Sequence, residues 1–107
     1  VYLMTVSQIV RHAHRWGKTV TVCGEAIDHE EALLALYALG VDGVSLPPND
    51  IPRARRLFHS VALPSDPRAV ARRLVRCQSS QEVGEVLRES FPPLTERRTT
   101  LPSMVAD

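Results

Sequence analysis

The sequence predicts an α/β fold in which two short parallel strands are joined through a helix and flanked by further helices. Three observations predict it. Lys18-Thr-Val-Thr-Val-Cys-Gly-Glu-Ala-Ile-Asp28 is a β-branched run that ends in a cysteine, turns on glycine and opens a helix. The residues before and after this run carry apolar side chains at helical spacing, each series stopped by a glycine. A second short apolar stretch, Gly43-Val-Ser-Leu46, follows the second helix directly. Strand, helix, strand in this order implies a right-handed parallel crossover.

The first helix is expected from Tyr2 to Trp16, with Val6, Ile9, Val10 and Ala13 turned inward and Gly17 as its stop. His12 and His14 are two apart, so they share no helical face and read as solvated. In the strand that follows, Val20 and Val22 share one face and Thr19, Thr21 and Cys23 the other, because successive side chains alternate. The valine face suits packing against helices. The other face, in a parallel barrel, is the lumen, and Cys23 stands at the strand's C-terminal end, where α/β folds place their ligands.

Asp28 and Glu31 form a capping-box pair for the second helix, whose stripe is Ala32, Leu33, Leu36 and Tyr37 and whose end is Gly40. In the second strand Val44 and Leu46 face helices and Ser45 the opposite side. Pro47-Pro-Asn-Asp50 then stops the strand, with Asp50 expected to cap a helix from Ile51 whose inner face is Ala54, Leu57, Phe58 and Val61. Leu63-Pro-Ser-Asp-Pro67 breaks the chain before a helix carrying Val70, Ala71, Leu74 and Val75. Ser79-Ser-Gln-Glu82 is a capping box for a last helix with Val83, Val86 and Leu87. Pro92-Pro93 ends it, and residues 92–107 read as a flexible tail.

At 107 residues and 44% hydrophobic content, one modest core is the limit. No apolar run reaches membrane-spanning length and no signal peptide is visible, so a cytoplasmic protein is expected. The first residue is Val1, and a helical pattern is already running by Tyr2, which suggests a chain that begins inside a larger protein. A net charge of +1 gives no strong pull toward nucleic acid or anionic lipid. Arg68, Arg72, Arg73 and Arg76 lack interleaved aromatics and read as a solvated helix face. Cys23 and Cys77 show no disulfide framework, and the histidines show no zinc-ligand spacing. Cys77 reads as a structural thiol on the apolar side of a helix end. Two strands cannot close a barrel, so Thr19, Thr21, Cys23 and Ser45 need a cover supplied from elsewhere.

Three stretches, His14-Arg-Trp-Gly-Lys-Thr-Val-Thr-Val-Cys-Gly-Glu-Ala26, Gly40-Val-Asp-Gly-Val-Ser45 and Asp50-Ile-Pro-Arg-Ala-Arg55, resemble in order the C-terminal, phosphoenolpyruvate-binding barrel domain of enzyme I of the bacterial sugar phosphotransferase system. The Gly-Lys and Val-Cys-Gly-Glu pairing is shared with the wider family of phosphoenolpyruvate-utilising enzymes. The resemblance implies that residues 1–91 are the C-terminal sector, about strands seven and eight with flanking helices, of a phosphoenolpyruvate- and pyruvate-binding (β/α)₈ TIM barrel. It implies that Cys23 is catalytic, protonating enolpyruvate after the phosphoryl group leaves phosphoenolpyruvate for a histidine on another domain. Gly24 and Glu25 are implied to be substrate-binding. Mg²⁺ is the implied cofactor, with its ligands outside this segment. The implied partners are phosphoenolpyruvate or pyruvate, a phosphocarrier protein met through an N-terminal domain, and a second copy in a homodimer, with no nucleic acid and no membrane. Two other readings stay open at this point: a fragment of phosphoenolpyruvate synthase or pyruvate phosphate dikinase, and a non-catalytic module that completes a barrel or a dimer surface.

Overall fold

A computed structural model describes residues 2–23 and 30–94. The elements run α1 (Tyr2–Arg15), β1 (Thr21–Cys23), α2 (Glu30–Ala38), β2 (Gly43–Ser45), a 3₁₀ turn (Pro48–Asp50), α3 (Ile51–Ser60), α4 (Pro67–Val75) and α5 (Ser80–Ser90). The two strands pair in parallel, with Thr21 opposite Gly43, Val22 opposite Val44 and Cys23 opposite Ser45. The mixed α/β architecture and the parallel crossover expected from the sequence are therefore present.

Glycine ends both of the first two helices for a stated reason. Gly17 (φ 68°) and Gly40 (φ 89°) take the left-handed conformation that a Cβ disfavours. In each case the glycine amide bonds back three residues, Gly17 to His14 and Gly40 to Tyr37, and the next amide bonds back five, Lys18 to Ala13 and Val41 to Leu36. This double closure satisfies carbonyls that the helix end would leave open. It also turns the chain directly into a strand each time.

α2 is the centre of the molecule. Leu33, Leu34, Ala35, Leu36 and Ala38 are all buried, so the helix is apolar around most of its circumference, and α3, α4 and α5 pack on it. The core continues through Val44, Phe58, Leu74 and Leu87, each almost fully removed from water. Tyr37 meets Phe58 and Phe91 edge-on, with ring centroids 5.8 and 6.2 Å apart.

The cap at Ser79 is formed, its hydroxyl accepting the Glu82 amide at 3.1 Å. The return arm lands one residue early, Glu82 Oε2 accepting from the Gln78 amide at 3.4 Å. Asp66, which the sequence marks only as part of a chain break, caps α4 by accepting the Ala69 amide at 3.3 Å.

Three expectations need correction. Asp50 has no side-chain cap bond: the 3₁₀ turn from Pro48 winds straight into α3, so Asp50 itself has right-handed helical backbone. Ile9, placed on the inner face of α1, is 54% exposed, because α4 covers only the side that carries Val10. Residues 92–94, assigned to the flexible tail, are tied to the end of α3. There the Ala62 amide bonds the Pro92 carbonyl at 2.7 Å and the Leu94 amide the Ser60 carbonyl at 2.9 Å, forming an antiparallel bridge between Val61 and Pro93. The rest of that tail, and the Asp28 cap, lie outside the described residues.

Candidate active site

Side-chain alternation is what builds this site. Val22 packs against the core from the half-buried face of β1 and Val44 is completely buried. Thr21, Cys23 and Ser45 stand exposed on the opposite face. Register places Cys23 directly beside Ser45, both at the C-terminal ends of parallel strands. Thr19 is exposed as well and Leu46 packs against the core, as parity requires. Cys23 is a free thiol. A thiol at that end of a parallel strand, on the face turned from the core, is open to a ligand. Gly24 and Glu25 lie outside the described residues.

Cys77 is a different kind of cysteine. It is half-buried just beyond α4, packed against the core, and its Sγ–H donates to the Arg73 carbonyl at 3.4 Å. Burial first, and the neighbouring Glu82 carboxylate second, push its thiol above the ordinary value. Such a thiol is held in its unreactive form, which agrees with its structural reading.

The opposite ends of the strands carry an arrangement that sequence reasoning missed. Asp42 Oδ2 lies 2.7 Å from His14 Nε2 and accepts the Val20 amide at 2.8 Å. One carboxylate thus joins the last turn of α1 to the entry of β1 and to the loop before β2. No local signal could have found it, since its partners are 28 and 22 residues away. His14, read from spacing as a solvated side chain, is half of this clasp. Its position on the far side from Cys23 gives it a structural role, as groups at the N-terminal ends of parallel strands usually have.

The His14 hydrogen bond, followed by the Val20 amide, holds the Asp42 carboxyl below its ordinary 3.8. A carboxyl whose folded-state pKa is depressed stabilises the fold fully above the unfolded value and loses that contribution as pH falls through the folded one. Denaturation midpoints followed from neutral pH into acid are accordingly expected to fall more steeply below about pH 4 in the unaltered chain than in Asp42→Asn. Parallel curves in that range would show the clasp to be energetically silent.

Among the described residues no three His, Cys, Asp or Glu side chains come together as a metal site requires.

The family described as PEP-utilising enzyme, PEP-binding domain matches residues 1–63, the segment that holds α1, both strands, α2 and α3. The phosphoenolpyruvate-protein phosphotransferase of Staphylococcus carnosus (strain TM300) is 33% identical over 87 residues, covering 81% of this chain and 15% of that protein. Multiphosphoryl transfer protein 1 of Escherichia coli (strain K12) is 35% identical over 100 residues, covering 94% of this chain and 12% of its own length. The phosphoenolpyruvate-protein phosphotransferase of Staphylococcus aureus is 32% identical over 85 residues, covering 79% and 15%. This chain therefore spans only 12–15% of the length of those relatives. No solved structure matches it significantly. With more than half of its length matched and its free thiol at the end of a strand within the matched segment, the chain belongs to the family of PEP-utilising enzymes, as part of their PEP-binding domain.

Proposed function

We propose that this chain is the C-terminal sector of a (β/α)₈ barrel in a phosphoenolpyruvate-protein phosphotransferase, and that Cys23 donates the proton that completes pyruvate. The observation that carries the reading is the exposed thiol of Cys23 at the C-terminal end of β1, beside Ser45 and opposite the core. Two further features support a sector over a finished domain. The sheet face formed by Thr21, Cys23 and Ser45 has no layer over it among the described residues. Tyr2 and Ile9, seven residues apart on one side of α1, and Trp16 just beyond its end are 63%, 54% and 70% exposed. Additional strands and helices of a barrel would cover both.

The chemistry follows from the substrate. When the bond between phosphorus and the enol oxygen of phosphoenolpyruvate breaks, the phosphoryl group passes to a histidine nitrogen and the bond's electron pair stays on oxygen, leaving the enolate of pyruvate. The enolate collapses to the ketone as its methylene carbon takes a proton from Sγ of Cys23, and the sulfur keeps the electron pair as thiolate. A proton from solvent restores the thiol. General acid catalysis requires the donor within reach of that carbon and bulk water held away. In this reading Gly24 and Glu25 bind substrate. Magnesium, bound by carboxylates on other strands of the barrel, would neutralise charge on the phosphoryl and enol oxygens.

The partners that accompany this reading are phosphoenolpyruvate and pyruvate, a phosphocarrier protein reached through a separate domain, and a second copy of the enzyme in a homodimer, all in the cytoplasm. Among the described residues, no helix is long and apolar enough to cross a membrane. The names of the relatives favour a protein as phosphoryl acceptor over the dikinase and synthase alternatives.

Complementation tests the sector directly. The upstream barrel portion of the enzyme, made separately, is expected to form pyruvate from phosphoenolpyruvate only when this chain is added. Pyruvate formation at the same rate without it would remove the chain from the active site.

A further inference from the structure

A groove opens between α1 and α4. It has a volume of about 970 Å³, and its floor is apolar, with Val10 and Ala71 among the side chains that line it. Its walls carry four arginines, Arg11 and Arg15 from α1 and Arg68 and Arg72 from α4. Within each helix the two are four residues apart, a spacing at which like charges face each other and weaken the helix. Among the described residues none of the four is in an ion pair. Among the described residues the one carboxylate that lines the groove, Asp42, is already engaged by His14 and the Val20 amide. Sequence reasoning assigned Arg68 and Arg72 to a solvated helix face; folding sets them across one cleft from Arg11 and Arg15.

We infer that this groove is a docking site for an acidic amphipathic helical segment of a partner protein. An apolar floor ringed by cations is the arrangement of a helix-binding groove, in which the partner's apolar stripe seats between the walls and its carboxylates meet the rim. The α1 wall from Ser7 to Arg15 is about 12 Å long, at 1.5 Å per residue, which accommodates about two turns of such a segment. Guanidinium groups suit the rim because each can hold a carboxylate through two parallel bonds. A small phosphorylated ligand fits less well, because all four arginines lie exposed on helix surfaces and do not converge on one buried point. The inference is independent of the chemistry proposed for Cys23, which sits at the other end of the strands.

The test uses the protein in its natural full length and a fluorescein-labelled synthetic helix with leucine on one side and glutamate on the other, followed by fluorescence anisotropy. Saturable binding is expected at low salt, weakening as salt rises. Arg11→Glu combined with Arg72→Glu is expected to weaken it by about tenfold or more. The milder pair Arg15→Gln and Arg68→Gln should act in the same direction, and circular dichroism of each variant establishes that it is folded. A peptide with lysine in place of glutamate should not bind. Equal affinity of the unaltered protein and both folded variants would overturn the inference. So would displacement of the peptide by inorganic pyrophosphate at an affinity that the same variants abolish, since that would make the groove a small-anion site.

Discussion

Cys23→Ser in the full-length enzyme is expected to lower the rate of pyruvate formation from phosphoenolpyruvate by about 10²-fold or more, the usual contribution of a positioned general acid. The substitution removes one acidic proton and little else. Cys23 is exposed, outside the core, and its strand is held by backbone pairing of Thr21–Cys23 with Gly43–Ser45. The hydroxyl that replaces the thiol is nearly the same size but a far weaker acid. Substrate binding should therefore survive, with KM changed by a few-fold at most while kcat carries the loss, the signature of an interaction needed only in the transition state. Cys77→Ser is the internal comparison. Its thiol is packed against the core and held protonated, so removing it should leave turnover unchanged.

The largest effect on stability is expected at Phe58. Its side chain is 0% exposed, and its ring packs edge-on against Tyr37, which in turn packs against Phe91. These three rings join α3, α2 and the chain beyond α5. Phe58→Ala leaves a cavity where those elements meet and should cost about 3–5 kcal/mol. A domain of this size has a total stability of about 5–15 kcal/mol, so the variant should unfold at markedly lower urea concentration with its denaturant dependence unchanged. Leu74→Ala, 1% exposed on α4, which also packs on α2, should cost about 2–5 kcal/mol. If Phe58→Ala unfolded at the same urea concentration as the unaltered chain, the ring cluster would have no role in holding α3.

What was legible in the sequence is what depends on neighbours close along the chain. The two-residue alternation of β1 divided Val20 and Val22 from Thr19, Thr21 and Cys23, and burial follows that division because a parallel strand covered on one side has only one way to pack. Gly17 and Gly40 marked the helix ends because the closure they make involves amides within five residues. The α2 stripe was understated. Leu34, Ala35 and Ala38 are buried too, since a helix enclosed by three others has no solvent side to declare.

What was not legible depends on residues distant in sequence. The Asp42 clasp joins side chains and amides more than 20 residues apart. The bridge from Val61 to Pro93 gives order to proline residues that local rules read only as a stop. The arginine groove exists because α1 and α4 pack together. Ile9 is apolar at an inward-looking position, yet the elements that α1 meets among the described residues do not reach it. In the proposed barrel that side faces elements from another part of the enzyme. The site was only half legible for the same reason: the strand end and its thiol are local, whereas the other strands of the proposed barrel are not part of this segment.

Exchange of the methyl hydrogens of pyruvate with solvent deuterium, followed by proton NMR with the full-length enzyme and magnesium, tests the central claim most directly, because it isolates the proton transfer from phosphoryl transfer. The unaltered enzyme is expected to wash deuterium into the methyl group, and Cys23→Ser to do so about 10²-fold or more slowly. Exchange at equal rates in the two proteins would mean that a different group carries the proton and that the thiol at the end of β1 is not the acid.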